Sequence, residues 1–426
     1  MASTPNPTTA ARAAALPFPY NAVEHGPSSP VRKVPPMTPR GRLVIALVST
    51  VLVGYVAVGS LLGRVLGDTT YGQLAVFNEV VRLVLDAYVE PVNLDRAMTG
   101  ARIGLTDALD GDSAYLDADE LRAYEQPPKE GEAEIGAVLT RRFSFLMVAA
   151  TRAGSPAARA GVKPGDIIKT IDGRHSRSLS PPTGQRLLRG EPGSTVKLTL
   201  LRAGSDPVDV SVVRERLVPV APEHRMVGEG TGYLKVAEFT PHVAEDVKGD
   251  LDALRRSGAR ALVLDLRGSG AGMPADGVKV AELFLKGGVV TKLQGARASE
   301  QVFNADPSRS AWDRPLAVLV DTGTGGAAEV VTAALLDAGR AQVVGEHTFG
   351  RAGVQKVVPL PDGGLLLTVA KYVSPKGTPI HGKGIEPTVT VEVPEPEEGE
   401  AAPAGDPILD KALEVLKNPP AAKKAA

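Results

Sequence analysis

Two short runs in the second half of the chain are apolar without alternation, and they constrain the fold more than any other feature. Residues 261–266 read ALVLDL and residues 316–321 read LAVLVD. A strand without polar alternation is buried on both faces, which is typical of a parallel sheet covered by helices. Segments with helical periodicity, such as residues 243–257, separate these runs from other strands. The sequence therefore predicts an α/β layered core over residues 219–395.

The stretch from Ala317 to Gln355 is the centre of this predicted core. It reads as a strand, a glycine-rich turn, a helix, a second strand and a basic loop. Many enzymes carry a nucleophile and its base on such a strand-turn-helix unit. We therefore interpret this stretch as the candidate functional site.

A helical segment is predicted over residues 67–128. One helical face near its start carries apolar residues at helical spacing: Phe77, Val80, Val81, Val84 and Tyr88. Later in the segment, Asp117 is followed three residues on by Glu120, the spacing of a capping box. A helix is therefore expected to begin directly after Asp117.

A small β-rich module is predicted over residues 129–218. Short apolar runs at 145–150 and 167–171 are separated by turn residues, and a later pair of runs reads as a hairpin. Between them, the segment SPAARAG predicts a short helix that stops at Gly161.

A run of 21 residues, Leu43–Gly63, carries no charge. As a helix it would extend about 31 Å, enough to cross the hydrocarbon core of a bilayer. A buried core helix is the alternative. Basic residues precede the run, whereas Arg64 and Asp68 follow it, so the positive-inside rule places the N-terminus in the cytoplasm. We predict residues 43–66 as a retained, single-pass signal anchor in the inner (plasma) membrane. Residues 1–42 are predicted to be a disordered cytoplasmic tail, and the bulk of the chain is predicted to be periplasmic or extracytoplasmic.

Composition excludes several kinds of function. Forty-eight basic residues are offset by 49 acidic ones, so the formal net charge is -1 and nothing favours nucleic acid as a partner. The chain has no cysteine, which removes disulfides, thiolate nucleophiles and cysteine metal sites. Its six histidines are scattered without the spacing of metal ligands. We therefore predict no metal site and no cofactor.

Several motifs follow one another in a fixed order. They are YVEPVNLD, DSAYLDADEL, SPAARAGVKPGDIIKTIDG, LRGEPGSTVKLTLLR, DLRGSGAG, FGRAGVQ and GKGIEPTVTV. In these motifs the chain resembles the carboxyl-terminal processing peptidases, or tail-specific proteases, from about residue 77 to residue 392. The resemblance implies an α+β multidomain fold with a helical segment, a PDZ domain over 129–218 and a protease-like α/β core. Here this fold would follow the transmembrane helix and precede an acidic linker and C-terminal helix over 396–426.

The resemblance also implies a serine nucleophile in a GSASASE-type turn and a lysine base 25 positions later in an FGKGxVQ loop. In this chain the two positions are Gly326 and Arg351. Glycine has no nucleophilic atom, and arginine stays protonated at neutral pH and has no acceptor. The sequence therefore predicts a degenerate member of the family without the Ser/Lys dyad. A displaced nucleophile or base at Thr324, Thr322 or Lys356 is the alternative.

Four further positions match residues that the resemblance assigns to the site. Asp337 matches an acidic residue associated with the site, and Gln355 matches the glutamine that orients the lysine. Without the dyad, a structural role is the favoured interpretation of both. The backbone amides of Gly268 and Ala327 match the oxyanion hole. A pocket for a peptide carbonyl is therefore expected to outlast catalysis.

In the PDZ-like segment, residues 134–139 (EIGAVL) lie where such domains bind a C-terminal carboxylate through backbone amides. The candidate peptide-binding residues are Ile135, Gly136, Ala137 and Val138. Gly136 favours this interpretation, because the backbone must approach a ligand closely there. The alternative is that Ile135 and Val138 are core residues of a first strand.

These observations support three hypotheses. The first is a membrane-anchored pseudoprotease that binds C-terminal tails of envelope polypeptides without cleaving them. The second is an active serine-type endopeptidase that uses displaced catalytic groups. The third is an envelope scaffold that uses the same shell for homo-oligomer contacts. Gly326 and Arg351 favour the first hypothesis over the second.

Overall fold

A computed structural model of the protein describes residue 50 and residues 70–202, 204–297, 299–392 and 405–417. In these residues, no helix combines the length and the apolar character needed to span a bilayer. The predicted cytoplasmic tail and, apart from Thr50, the predicted membrane anchor lie outside the described residues.

The chain divides into two units, and the first ends at Val92. Its helix α1 (Thr70–Ala87) confirms the predicted helical periodicity. Most large apolar side chains of α1 are exposed, including Phe77 and Val80 on the predicted apolar face.

The second unit begins at Asn93 and contains the remaining helices and strands. Its helices are α2 (Leu94–Asp107), α3 (Ala118–Glu125), α4 (Pro156–Arg159), α5 (Pro181–Leu187), α6 (Val243–Arg256), α7 (Pro274–Glu282), α8 (Ala327–Asp337) and α9 (Pro407–Lys417). Its first strands are β1 (Ala114–Asp117), β2 (Ala137–Arg142), β3 (Phe145–Thr151), β4 (Ile167–Ile171), β5 (Arg174–His175), β6 (Thr195–Leu201), β7 (Val208–Val213) and β8 (Glu223–Met226). The later strands are β9 (Thr231–Lys235), β10 (Ala261–Asp265), β11 (Val289–Gln294), β12 (Gln301–Asn304), β13 (Leu316–Val320), β14 (Gln342–Gly345), β15 (Gly353–Leu360), β16 (Gly363–Val373) and β17 (Val389–Thr390).

The β-rich segment forms one antiparallel sheet in the order β2-β3-β4-β6-β7, with β5 paired to β4. Its core is closed by the short helix α4, whose Ala157 packs among the apolar residues of the strands. Strands β3 and β4 confirm the runs predicted at 145–150 and 167–171. Strand β2 lies at one edge of the sheet, so it can pair with a further strand.

The α/β core is built on a second sheet in the order β17-β14-β13-β10-β9-β8. All neighbours from β9 to β17 are parallel, and β8 is antiparallel to β9. Helices α6, α7 and α8 cover one face, and α9 covers the other. The apolar residues of β10 and β13 are therefore buried on both sides, which confirms the predicted α/β layering.

A third, antiparallel sheet has the order β1-β16-β11-β12, with β15 also paired to β16. Asp117 ends β1 and forms the predicted capping box of α3 with Glu120. Pairing of β1 with β16 brings the preceding residues 110–113 against β16, where the Thr368 amide donates to Ser113 Oγ at 3.1 Å. Residues 110–113, which come much earlier in the sequence, therefore lie close to the loop that leads into β15.

Candidate functional site

Gly326 lies in the turn between β13 and α8, at the position predicted for the nucleophile. Its backbone has φ 59° and ψ -114°, and Ala327 after it is the first helical residue. Glycine adopts a positive φ without strain, whereas residues with a side chain do so at a cost. Among the described residues, a Cβ built on Gly326 meets one atom within 4 Å, Arg351 O at 3.5 Å. The turn therefore has room for a nucleophile at position 326, where glycine has no side chain.

Glu329 connects this turn to the basic loop, although it was not among the predicted site residues. Its carboxylate is buried and accepts hydrogen bonds from the Gly326, Gly350 and Arg351 amides at 3.0, 2.6 and 2.8 Å. Thr348 Oγ1 donates a fourth hydrogen bond at 2.6 Å. Burial raises the pKa of Glu329, and the four hydrogen bonds oppose this shift by favouring the ionised form. One carboxylate thus holds the turn and the loop together.

Arg351 lies in the loop between β14 and β15, where the base is expected. Its Nε donates to both carboxylate oxygens of Asp112, at 3.1 and 3.0 Å. Asp112 is buried and also accepts a hydrogen bond from Thr140 Oγ1 of β2 at 3.1 Å. A guanidinium offers only donors, so it can hold this carboxylate but cannot accept a proton. Arg351 therefore ties residues 110–113 and the β2 strand to the loop.

Thr324, Thr322 and Lys356, the predicted displaced groups, lie in different surroundings. Thr324 is fully buried, and its hydroxyl lies 3.0 Å from both Leu266 O and Asp321 Oδ1 as a donor. The same oxygen accepts the Asp321 amide at 3.0 Å. Thr322 and Lys356 are exposed, on the turn and on β15 respectively. The hydroxyl of Thr324 is thus buried and engaged in the fold, with the Asp321 carboxylate and the Leu266 carbonyl as its acceptors.

The two backbone amides predicted for the oxyanion hole differ in whether their N–H groups already have an acceptor. The Gly268 amide donates to Asp321 Oδ1 at 2.9 Å, so a substrate oxygen could bind it only after this bond breaks. Burial raises the pKa of Asp321, whose Oδ1 also accepts the Gly323 amide at 3.0 Å. Ala327 is the first residue of α8, where a helix has no internal acceptor for the N–H group. The geometry fits the predicted role at Ala327 and disagrees with a free donor at Gly268.

Asp337 and Gln355 lie at different places. Asp337 is the last residue of α8, about 16 Å along the helix axis from the turn. There it accepts the Lys376 amide at 2.9 Å. Gln355 lies on β15, with Nε2 3.4 Å from Thr368 Oγ1, and it lines the same cavity as Arg351. The structure therefore brings Gln355 to the base position and gives Asp337 a structural contact elsewhere.

The predicted carboxylate-binding residues lie at the start of β2. Ile135 is fully buried in the core of the β-rich module, and Ala137 is the first residue of the strand, followed by Val138. Gly136 has φ 77°, and a Cβ built on it would lie 2.4 Å from Ser155 Cβ. Packing against Ser155 therefore accounts for a glycine at this position, and the role of its backbone in ligand binding stays a prediction. Ile135 fits the alternative interpretation as a core residue.

Two cavities adjoin helix α5. The smaller one, of about 180 Å³, is lined by Asp112 and Arg351 at the base position and by Leu139 of β2. The larger one, of about 780 Å³, is lined by α3, α5 and the segment that follows α3. Three residues line both cavities: Tyr124, Pro182 and Gln185. The space beside β2 and α5 therefore extends to the base position.

Comparisons with known proteins agree with this layout. Residues 230–391 match Peptidase family S41, and residues 147–202 match the PDZ domain. Over 337 residues the chain is 31% identical to the carboxy-terminal-processing protease of Bartonella bacilliformis, covering 78% of this chain and 77% of the relative. Over 357 residues it is 29% identical to the carboxy-terminal processing protease CtpA of Bacillus subtilis, covering 83% and 76%.

A solved structure is also similar. The photosystem II D1 C-terminal processing protease superposes with a TM-score of 0.63 at 28% identity. The match covers 74% of this chain and 86% of that one. It includes more of the chain than the two family matches together, so the similarity extends beyond the separate domains.

Proposed function

This chain belongs to the C-terminal processing proteases of peptidase family S41, and we propose that it binds the C-terminal tails of other polypeptides without cleaving them. One observation carries the proposal. The turn that would hold the nucleophile has Gly326 at that position, which has no side chain, while the residue at the base position is an arginine paired with Asp112. Covalent catalysis needs a nucleophile and a group that accepts its proton, and both are missing at these positions.

Tail binding is supported by the PDZ domain. PDZ domains add an extended peptide to an exposed sheet edge and hold its terminal carboxylate with backbone amides. Strand β2 is the edge strand of the PDZ sheet, and the cavities beside it extend to Arg351. A tail bound along β2 would therefore lead towards the former active site.

The test uses the purified full-length chain in detergent. A fluorescein-labelled, unstructured peptide with apolar C-terminal residues and a free carboxylate is titrated, and its anisotropy is recorded. Saturable binding that is lost when the terminal carboxylate is amidated would support the proposal. The incubated peptide is then analysed by mass spectrometry.

Cleavage of the peptide would contradict the proposal and favour an active endopeptidase with displaced groups. The matched control is the same preparation with Thr324→Val, which removes the turn hydroxyl nearest the nucleophile position. Cleavage lost in this folded variant would identify Thr324 as the displaced nucleophile. Cleavage that continues unchanged would point to another residue or to a contaminating protease.

We infer in addition that Leu43–Gly63 anchors the protein in the inner (plasma) membrane, with the PDZ domain and core outside the cytoplasm. The support is the uncharged run and the basic residues before it. The partners would then be tails of envelope polypeptides. Because the chain has no cysteine, single Ser28→Cys and Lys417→Cys variants can be labelled in intact cells with a membrane-impermeant maleimide. Labelling at 417 and not at 28 is expected, and the reverse pattern would exclude this orientation.

A further inference from the structure

Strand β2 is an edge strand, yet its outer edge is not free. In a strand, the N–H and C=O groups of alternate residues point to the same side. On the side of β2 away from β3, Ala137 O accepts a hydrogen bond from Gln185 Nε2 at 2.8 Å. On the same side, the Leu139 amide donates to Gln185 Oε1 at 3.1 Å. A single side chain from α5 thus occupies two successive pairing positions of the edge.

The primary amide of Gln185 has one carbonyl acceptor and an NH₂ donor, the same two kinds of group that a peptide bond offers. An added strand of either direction would use Ala137 O and the Leu139 amide, because these are the outward groups of this part of β2. The Gln185 side chain and a bound tail therefore compete for the same atoms.

The edge is closed differently two residues further along. The Arg141 amide donates to Gly111 O at 2.8 Å, and the Thr140 hydroxyl, whose one proton is shared with Asp112, lies 3.0 Å from Gly111 O. The group that covers this part of the edge is the backbone carbonyl of Gly111, and the neighbouring Asp112 is paired with Arg351. A side chain can rotate away from the edge, whereas the Gly111 carbonyl moves only with its segment. Strand pairing is therefore possible over Ala137–Leu139 and ends before Arg141.

We propose that Gln185 is an intramolecular occupant of the tail groove, which rotates away when the last few residues of a tail pair with Ala137–Leu139. This proposal rests on the proposed tail-binding function. Gln185 lines the 780 Å³ cavity as well as the 180 Å³ cavity, so the rotated side chain has space on the far side. Upstream residues of the tail leave β2 at Leu139 and enter the smaller cavity next to Arg351.

The proposal predicts a gain of affinity when the occupant is removed. A bound tail must break two neutral hydrogen bonds of Gln185, and part of their free energy is offset by the side-chain entropy that Gln185 regains on rotation. The net free energy corresponds to roughly tenfold in an equilibrium constant. Gln185→Ala in the full-length chain should bind the fluorescein-labelled apolar tail peptide about tenfold more tightly than the unaltered chain. Lys169→Ala is the control, since Lys169 is exposed on β4 and lines neither cavity. Its affinity should stay within about twofold.

Hydrogen exchange gives a second readout that needs no peptide. Loss of the Gln185 acceptor should speed exchange of the Leu139 amide in Gln185→Ala, whereas exchange should be unchanged in Lys169→Ala. If Gln185→Ala does not fold, Gln185→Met retains the length of the side chain without the amide and should behave in the same way.

The outcomes separate the two proposals. If the unaltered chain binds the tail peptide and Gln185→Ala binds it equally or more weakly, Gln185 does not occupy the tail groove. The proposed tail-binding function is then unaffected. Absence of binding in every folded variant overturns both. Unchanged Leu139 exchange in Gln185→Ala overturns the contact itself, whatever the peptide does.

Discussion

The turn at Gly326 and the loop at Arg351 occupy the two positions of a Ser/Lys dyad, and they depart from it in different ways. The turn carries a glycine at position 326, with open space beside it. The loop carries a cation that is bonded to the buried Asp112. The turn position thus has no side chain, whereas the loop position has one with a structural role. The two positions should respond differently to mutation.

The largest effect is expected where the two regions are joined. Glu329→Ala removes the acceptor of four buried donors, and each unsatisfied donor costs about 1–3 kcal/mol. We expect a loss of at least about 4 kcal/mol in the free energy of unfolding, measured by urea denaturation. Glu329→Gln keeps one carbonyl acceptor and should lose less. A loss below about 1 kcal/mol would mean that turn and loop are held by other contacts.

Reconstruction of the dyad should be limited by the loop and not by the turn. In Gly326→Ser with Arg351→Lys, the nearby Asp112 carboxylate would favour the protonated lysine and so weaken it as a base. Adding Asp112→Asn should raise peptide hydrolysis by about 10²- to 10⁴-fold, the usual contribution of general base catalysis. The rate is measured with a quenched fluorogenic peptide. Equal rates for the double and triple variants would show that Asp112 does not control the base position.

The ion pair at the loop should show energetic coupling that the turn lacks. Arg351→Ala leaves a buried carboxylate without its cation, and we expect a loss of about 2 kcal/mol because Arg351 itself is partly exposed. A double-mutant cycle with Asp112→Ala should give a coupling of about 1 kcal/mol or more. The control cycle pairs Gly326→Ala with Asp112→Ala and should be additive. Similar coupling in both cycles would remove the distinction between the regions.

The smallest effect is a pH dependence on the loop side. Burial lowers the pKa of His381, and the nearby carboxylates of Asp112 and Asp110 oppose this shift. The unfolded chain binds a proton at this histidine below about pH 6.5, whereas the folded chain does so only at lower pH. The contribution of His381 is therefore complete above about pH 6.5 and is lost as the pH falls through the folded-state pKa.

His381→Gln should reduce the loss of unfolding free energy between pH 7.5 and pH 5.5. The control is His175→Gln at an exposed position, which should keep the slope of the unaltered chain. An unchanged slope in His381→Gln would place the titrating group elsewhere.

Short-range sequence patterns were sufficient to predict several strands and helix starts of the fold. The unalternating runs at 261–266 and 316–321 correspond to the buried strands β10 and β13, and Asp117 with Glu120 forms the predicted capping box. These features depend on neighbours within a few residues, so periodicity and spacing are enough to predict them. The same spacing places Glu329 three residues after Gly326 and so indicates a capping role. It does not indicate that the Glu329 carboxylate is buried beneath the loop.

The family, the layered core and the residues Gly326 and Arg351 at the two predicted dyad positions can be read from residue identity and short-range pattern. The contacts that these residues make depend on the packing of distant parts of the chain. Arg351 and Asp112 are 239 positions apart, and Gln185 and Leu139 are 46 apart. Such partners meet only after the sheets have packed, and a charge or an amide in the sequence does not specify which distant group will satisfy it.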